Sequence, residues 1–192
     1  YSYKISLPEG KAKHTPSLTL EYSSANQYGN FGWGWKIDTR SISRKLDQDL
    51  EGDTGEIYQD SGQEILPMPD GNYQCRFETM YNRYERKDAG WIIRERNGTT
   101  QELGMKVSGR IADPDHPERV FHWLLEKSTD TCGNEIHYQY QILDQTYYLD
   151  SIDYAIYKVK FHYEDRPDVR TNGRMGFLAK TSQRCRQIEL QV

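Results

Sequence analysis

The sequence predicts an all-β chain, an antiparallel meander of hairpins arranged as a barrel, a sandwich or an open, curved sheet. Three observations predict it. Apolar and polar residues alternate along many short runs. Turn-forming Asn-Gly, Asp-Gly and Gly-Asn pairs separate those runs. Apolar residues at i, i+3, i+4 and i+7 never persist for three turns, so nothing supports a helical body. Aromatic residues make up 12% of the 192 residues, with 15 Tyr and 4 Trp, a composition that suits packed strands and excludes general disorder.

Taken in order, Tyr1-Ser2-Tyr3 already reads as strand, as expected of a piece of a longer polypeptide. In Ser17-Leu18-Thr19-Leu20-Glu21-Tyr22, a strand puts Leu18, Leu20 and Tyr22 on one face. Phe31-Gly32-Trp33-Gly34-Trp35 alternates aromatics with Gly. That pattern can display rings to a ligand, or pack rings against backbone that only Gly lets come close. The second reading is favoured, with Trp33 and Trp35 buried, because Ile37 and Ser41-Ile42-Ser43-Arg44 read as a continuing strand. Asp70-Gly71-Asn72 precedes a strand at 73–77, and Asn97-Gly98 joins strands at 91–94 and 99–103. Asn-Gly supplies the positive φ angles of a tight hairpin turn. The Pro- and Asp-rich residues 112–117 are a turn, and Gly133-Asn134 joins 123–127 to 136–140. Alternation then places Ile136, Tyr138 and Tyr140 on one face, followed by Ile152 and Tyr154 and by Val159, Phe161 and Tyr163. Tyr fills such a half-buried face while its hydroxyl stays in water. Residues 166–174 read as a polar loop.

Composition excludes several function classes. The charge is 25 − 29 = −4, with a pI near 5.8 and a mean hydropathy of −0.93. An acidic balance argues against nucleic acid as a partner, since that affinity comes from Lys and Arg on phosphates. No apolar run approaches the ~20 residues of a membrane helix. Cys75, Cys132 and Cys185 are odd in number and far apart, so they read as structural thiols rather than as a disulfide framework or a zinc site.

Candidate chemistry is weighed residue by residue. The histidines are His14, His116, His122, His137 and His162, and none sits in a metal or nucleophile motif. His137 and His162 fall between aromatic positions of alternating strands, on the polar face. Asp47, Asp49, Glu51 and Gly52 open like a calcium loop, but Tyr58 stands where a bidentate Glu is needed. A solvated hairpin tip is the better reading of that segment. With 29 acidic residues, carboxylate pairs arise by chance, and sequence gives no separation to test against a glycosidase. No catalytic, cofactor-binding or metal-binding residue is assigned, and the chain is expected not to be an enzyme.

Ordered motifs give the chain a resemblance. Pro16-Ser17-Leu18-Thr19-Leu20-Glu21-Tyr22-Ser23-Ser24, Phe31-Gly32-Trp33-Gly34-Trp35 and Ser41-Ile42-Ser43-Arg44-Lys45 are similar to the opening of the SpvB-type domain. Gly62-Gln63-Glu64-Ile65-Leu66-Pro67, Tyr81-Asn82-Arg83-Tyr84-Glu85-Arg86 and Arg110-Ile111-Ala112-Asp113-Pro114 continue it. Trp123-Leu124-Leu125-Glu126, Tyr147-Tyr148-Leu149 and Tyr163-Glu164-Asp165-Arg166-Pro167-Asp168 complete it. The run from Asp130 to Tyr140, D-x-x-G-N-x-I-x-Y-x-Y, also has the form of one tyrosine-aspartate (YD) repeat. The chain departs from the pattern at residues 24–30, where relatives carry a Gly-rich segment, and it holds no E-x-E transferase motif.

This resemblance implies a fold and a role. The SpvB-type domain occurs in the B component of Tc toxins and in Rhs/YD-repeat virulence proteins. There it forms a curved or sandwich-like part of a larger β-shell, a cocoon that encloses a cytotoxic polypeptide. By the same resemblance, residues 1–192 form one such domain, followed in the parent by propeller and Rhs regions. The expected partners are downstream domains of the same polypeptide, an Rhs-repeat C component and a pore-forming A component, with no membrane contact by this domain. The expected setting is secreted, and the expected role structural. A carbohydrate- or receptor-binding module using Trp33 and Trp35 is the alternative. As a panel cut from a shell, the chain should also carry a strand edge without a partner.

Overall fold

The computed structural model describes residues 1–25, 29–45, 57–77 and 80–192. The acidic segment beginning at Asp47, read as a hairpin tip or calcium loop, lies outside them. The described residues form two sheets, the larger of which contains a barrel. The first is a sheet of three antiparallel strands, β1 (Ser2–Ile5), β2 (Leu18–Tyr22) and β3 (Trp35–Ile37). Register pairs Ile5 with Leu18, Tyr3 with Leu20, Leu20 with Ile37, and Tyr22 with Trp35. Those apolar residues therefore share one face, as the alternation predicts.

The chain then changes sheet. β4 (Ser41–Arg44) does not continue β3 but opens a second, larger sheet. This corrects the expectation of one strand running from Ile37 to Arg44. β5 (Tyr58–Asp60), β6 (Gln63–Pro67), β7 (Tyr73–Cys75), β8 (Arg83–Lys87), β9 (Gly90–Arg94) and β10 (Thr100–Leu103) follow as a meander, each paired with its predecessor. The short β11 (Arg110–Ala112) leads into β12 (Val120–Thr129). β12 pairs with both β10 and β4, which closes an eight-stranded barrel from β4 to β10 plus β12.

Aromatic side chains fill the barrel. Trp91 and Trp123 are fully buried with Ile42, Ile65, Tyr84, Ile93 and Leu103. Tyr58 meets Trp91 edge-on at a centroid distance of 4.9 Å and Trp123 at 5.5 Å. The Arg86 guanidinium lies 4.5 Å from the Trp123 ring centre and 4.9 Å from that of Trp91, a cation–π arrangement strengthened by low dielectric.

Beyond the barrel, the last turns of β12 pair with β13 (Glu135–Leu143), followed by β14 (Thr146–Tyr154), β15 (Tyr157–Asn172) and β16 (Ala179–Gln191). The three-stranded sheet packs on these long strands. Leu18 joins Ile136, Ile152, Val159 and Phe161 in a second core, with Ile5, Leu7 and Ile37 against it. β15 runs unbroken through Asn172, with an irregular register between Asp165 and Arg170. Residues 166–174 are therefore mostly strand and not a loop. A bulge absorbs Arg166-Pro167-Asp168, where Pro cannot donate to the ladder. β16 pairs with β15 and with no other described strand, while Lys180 N and Cys185 N donate to the Asp144 and Asn30 carbonyls outside that ladder.

The hairpin turns follow local chemistry. Gly71, Gly98 and Gly133 adopt φ of +82°, +87° and +80°. At the YD-like hairpin, the Asp130 carboxylate accepts from Cys132 N, Asn134 N and Asn134 Nδ2, each at 2.8 Å. The hydrogen bond from the Asn134 side chain, with those from the backbone, holds the Asp130 carboxyl below its ordinary range. One residue at the barrel seam has no room for a side chain. Gly104 sits at φ +59°, and a Cβ there would lie 2.4 Å from Trp123 Cδ1. Gly104→Ala should therefore lower stability by about 2 kcal/mol, read as a reduced urea midpoint with the all-β circular dichroism spectrum retained.

Candidate functional site

The densest polar cluster stands at one mouth of the barrel. The meander brings the residue before β4, the end of β5, the end of β7 and the start of β8 to the same rim. Arg40 donates to Asp60 through Nη2 at 2.6 Å and Nε at 3.1 Å, and through Nη1 to Glu95 at 2.7 Å and Gln101 at 2.9 Å. Tyr84 donates its hydroxyl to Asp60 Oδ2 at 2.8 Å, and the Cys75 thiol lies 3.2 Å from that hydroxyl. Burial lowers the proton affinity of Arg40, but bonding and attraction to Asp60 outweigh it, and the net shift is upward. Burial and the neighbouring Asp60 charge push the Tyr84 phenol far above its usual range.

This arrangement ties its reactive-looking groups to one another. A cavity of about 750 Å³ opens over the cluster, so access is available. Asp60 and Glu95 both bind the same guanidinium, and Asp38, the third carboxylate among the described residues lining that cavity, is paired with Lys36. A glycosidase pair must instead flank a sugar across a gap. Among the described residues, no three His, Cys, Asp or Glu side chains gather as a metal site. Sequence reasoning missed this cluster, because Arg40, Asp60, Tyr84 and Glu95 come from four separate strand ends and share no spacing motif.

The aromatic-glycine loop is the second feature, and here one expectation fails. Trp33 is 48% exposed, not buried. Trp35 is half-buried, 5.3 Å from the ring of Tyr22 and 6.2 Å from that of Tyr1. The close-approach reading holds at Gly34, which has φ +79° and sits where a Cβ would strike the Tyr22 ring at 2.4 Å. Trp33 differs because the loop is anchored from beneath at its N-terminal end. Arg166, 3% exposed, bonds Asp168 twice at 3.0 Å and reaches the Gly29 carbonyl at 3.3 Å. Asn30 Nδ2 donates to the Tyr147 carbonyl at 2.7 Å, and Cys185 N donates to the Asn30 carbonyl at 2.7 Å. Phe31 turns inward against Phe161, and Trp33 is left on the surface under Arg170, 4.5 Å from its ring centre.

The five histidines are dispersed. His137 pairs with Glu135 at 2.9 Å and His162 with Glu189 at 2.8 Å, both on exposed faces as the alternation predicts. His14 bonds the Ser128 carbonyl at 3.2 Å, and His116 lies 3.5 Å from Glu118. His122 is different. It projects from the outer face of the barrel toward Tyr147, with ring centres 6.3 Å apart, and its Nδ1 is buried without a hydrogen-bond partner. Burial depresses its pKa to about 4.

Comparison with known proteins places this geometry. The family model described as "Salmonella virulence plasmid 65kDa B protein", SpvB, matches residues 1–72 and 65–155. The mono(ADP-ribosyl)transferase SpvB of Salmonella typhimurium (strain 14028s / SGSC 2262) is 27% identical over 157 residues, covering 65% of this chain and 27% of the relative. The chain thus spans about a quarter of the length of the curated relatives it matches. Among solved structures, the N-terminal domain of effector protein SpvB from Salmonella typhimurium strain LT2 superposes with a TM-score of 0.83 at 20% identity, covering 98% of this chain and 86% of that one. The TcdB2-TccC3-Cdc42 crystal structure gives 0.85 at 19% identity, covering 99% of this chain and 13% of that one. A Photorhabdus luminescens Tc holotoxin pore gives 0.86 at 19% identity, covering 98% and 13%.

The His122 shift makes a pH prediction. Free histidine titrates near 6.5, so between about pH 6.5 and pH 4 the unfolded chain binds a proton that folded His122 refuses. Stability must fall as pH falls through that window, by up to about 1.4 kcal/mol per unit. His122→Gln should flatten this component, seen as a smaller drop in urea midpoint between about pH 7 and about pH 4.5. Equal drops in both proteins would contradict it.

Proposed function

The chain belongs to the SpvB family, and from that premise we propose that it is a passive structural domain of a secreted bacterial toxin-delivery protein. In this reading it forms one panel of the β-stranded cocoon that encloses a cytotoxic polypeptide, and it performs no chemistry itself. The observation that carries the reading is the sharing of β12 between a closed barrel and a long-stranded sandwich, a fold matched over nearly the whole chain in a virulence effector and in Tc toxin assemblies.

Side-chain chemistry supports it. The polar groups that could react are engaged in internal bonds, as at Arg40, Asp60 and Tyr84. Tyrosine hydroxyls, too, act as fasteners between strands. Tyr140 donates to the Leu125 carbonyl at 2.8 Å, Tyr163 to that of Leu149 at 2.8 Å, and Tyr154 to that of Pro8 at 3.1 Å. Such bonds stiffen a wall, and a wall is what enclosure of a cargo requires. The transferase activity named for the full-length SpvB relatives is not assigned to this segment, which spans about a quarter of them and holds no E-x-E motif.

The partners follow from the free edge. β16 has β15 as its one strand neighbour among the described residues, and its edge beyond Cys185, whose N–H is taken by the Asn30 carbonyl, is a template for another strand. Downstream domains of the same polypeptide are the natural occupants. An Rhs-repeat C component and a pore-forming A component are proposed as the wider assembly. Hydrogen exchange tests this. In the isolated chain, the outward amides of β16 beyond Cys185 should exchange fast while β12 stays protected. Within a full-length SpvB-family polypeptide carrying this segment, β16 should become protected. Equal lability of β16 in both would overturn the panel reading.

A further inference from the structure

The distal half of the β15–β16 hairpin is basic on an acidic chain. Residues 166–188 hold six Lys or Arg against one Asp, whereas the whole chain carries −4. Half of those cations are neutralised locally. Arg166 bonds Asp168 twice at 3.0 Å, Arg184 bonds Glu164 at 2.8 Å, and Arg186 lies 3.7 Å from the same Glu164 carboxylate. Arg170, Arg174 and Lys180 are the other half. Among the described residues, none of these three has a carboxylate within ion-pair distance.

Arg170 is held in place without an acceptor. Its guanidinium lies 4.5 Å from the centre of the Trp33 ring, as a planar, weakly hydrated cation stacks on an aromatic face. Stacking covers the flat face of the fork and leaves its N–H groups directed outward along the edges. The Nε is buried with no hydrogen-bond partner, and the terminal nitrogens donate to no described group. Asp168, two residues away, is already engaged through both oxygens by Arg166. A buried charged donor without an acceptor is costly, and native proteins usually supply one. The surroundings are fixed. The Trp33 loop is pinned through Gly29 and Asn30, and Phe177 in the hairpin turn meets Phe121 of β12 edge-on at 5.2 Å. Trp and Arg on a rigid framework are the residue types that dominate binding energy at protein interfaces.

The chemistry narrows the class of partner. Three unpaired cations ask for an anion. Trp33 beneath Arg170, Val169 before it and Leu178 in the turn are exposed, and a free ion would leave that apolar surface uncovered. Nucleic acid is disfavoured by the net charge of −4. Three free cations fall short of the about four to eight in a polybasic membrane segment, and Trp33 lies under Arg170 rather than free to insert into lipid. A peptide segment bearing Asp or Glu beside apolar residues meets all of these conditions. We propose that the Trp33–Arg170 stack, flanked by Arg174 and Lys180, is a docking surface for an acidic segment of a partner protein, one carboxylate of which accepts from the free edge of the Arg170 guanidinium. The proposal does not depend on the panel reading.

The test is a nitrogen-edited NMR titration of the full chain with a short peptide of Glu, Asp and Leu, run beside its Gln, Asn and Leu counterpart at equal ionic strength. The expected result is saturable shifts at the Arg170 Nε–H and the Trp33 indole N–H with the acidic peptide alone, weakening as salt is raised. Arg170→Ala should lower the affinity at least about tenfold, the loss of one charge-assisted hydrogen-bonded pair. Its circular dichroism should be unchanged, because no internal hydrogen bond is removed. Arg170→Lys should not restore the affinity, since an ammonium lacks the planar fork. Several results would overturn the proposal: no saturable shift with the acidic peptide, equal shifts with its neutral counterpart or with inorganic phosphate, full affinity in Arg170→Ala or Arg170→Lys, or tighter binding to phosphatidylserine vesicles or oligothymidylate than to the peptide.

Discussion

The structure depends on β12 being hydrogen-bonded along both edges. Successive residues of a strand direct their backbone groups to opposite sides. Leu124 accordingly accepts from Gly104 N at 2.9 Å on one edge, and Leu125 donates to the Arg40 carbonyl at 3.1 Å on the other. These bonds extend the β10–β12 and β4–β12 ladders that close the barrel. Three residues on, Lys127 is paired with Glu102 of β10 and with His137 of β13, so the same strand leaves the barrel as the root of the sandwich. Both of its faces are buried as well. Trp123 points into the barrel and Leu124 out of it, and each is 0% exposed. A one-residue slip would exchange the two faces and break both ladders at once.

That constraint explains where the polar chemistry sits. A closed barrel buries strand ends that would otherwise meet water, and charged groups at its mouth must find partners or pay a desolvation cost. Arg40 precedes β4 at the place where the chain crosses from the three-stranded sheet into the barrel. Its bonds to Asp60, Glu95 and Gln101 tie β4, β5, β9 and β10 together at that crossing. Arg166 does the equivalent work on the sandwich side, holding Gly29 over the bulge in β15. The charged residues with the most internal bonds thus mark the joints of the fold.

Much of this was legible in the sequence, for physical reasons. Period-two alternation forces one face of each strand inward, so Ile136, Ile152, Val159 and Phe161 were readable as core. Asn97-Gly98 and Asp70-Gly71 were readable as turns because Gly alone takes positive φ without cost. The hairpins at Asp144-Gln145 and at Ala155 were not readable, since those residues hold φ near +50° to +59° without Gly and are carried by the long strands they join. The hydroxyls of Tyr140 and Tyr163 were expected in water. They instead bond backbone carbonyls of neighbouring strands, because the two sheets cover the face on which they stand. Closure of the barrel could not be read either. It depends on β12 meeting β4, some 80 positions earlier in the chain, and no local pattern encodes that. Trp33 was misjudged for a related reason. Its exposure follows from anchors on β15 and β16, far away in sequence.

A strand shared by barrel and sandwich makes two cores into one body. Differential scanning calorimetry tests this sharing most directly. If β12 couples barrel and sandwich, the chain melts in a single transition whose calorimetric and van't Hoff enthalpies agree. Two resolved transitions, one for each core, would contradict the account.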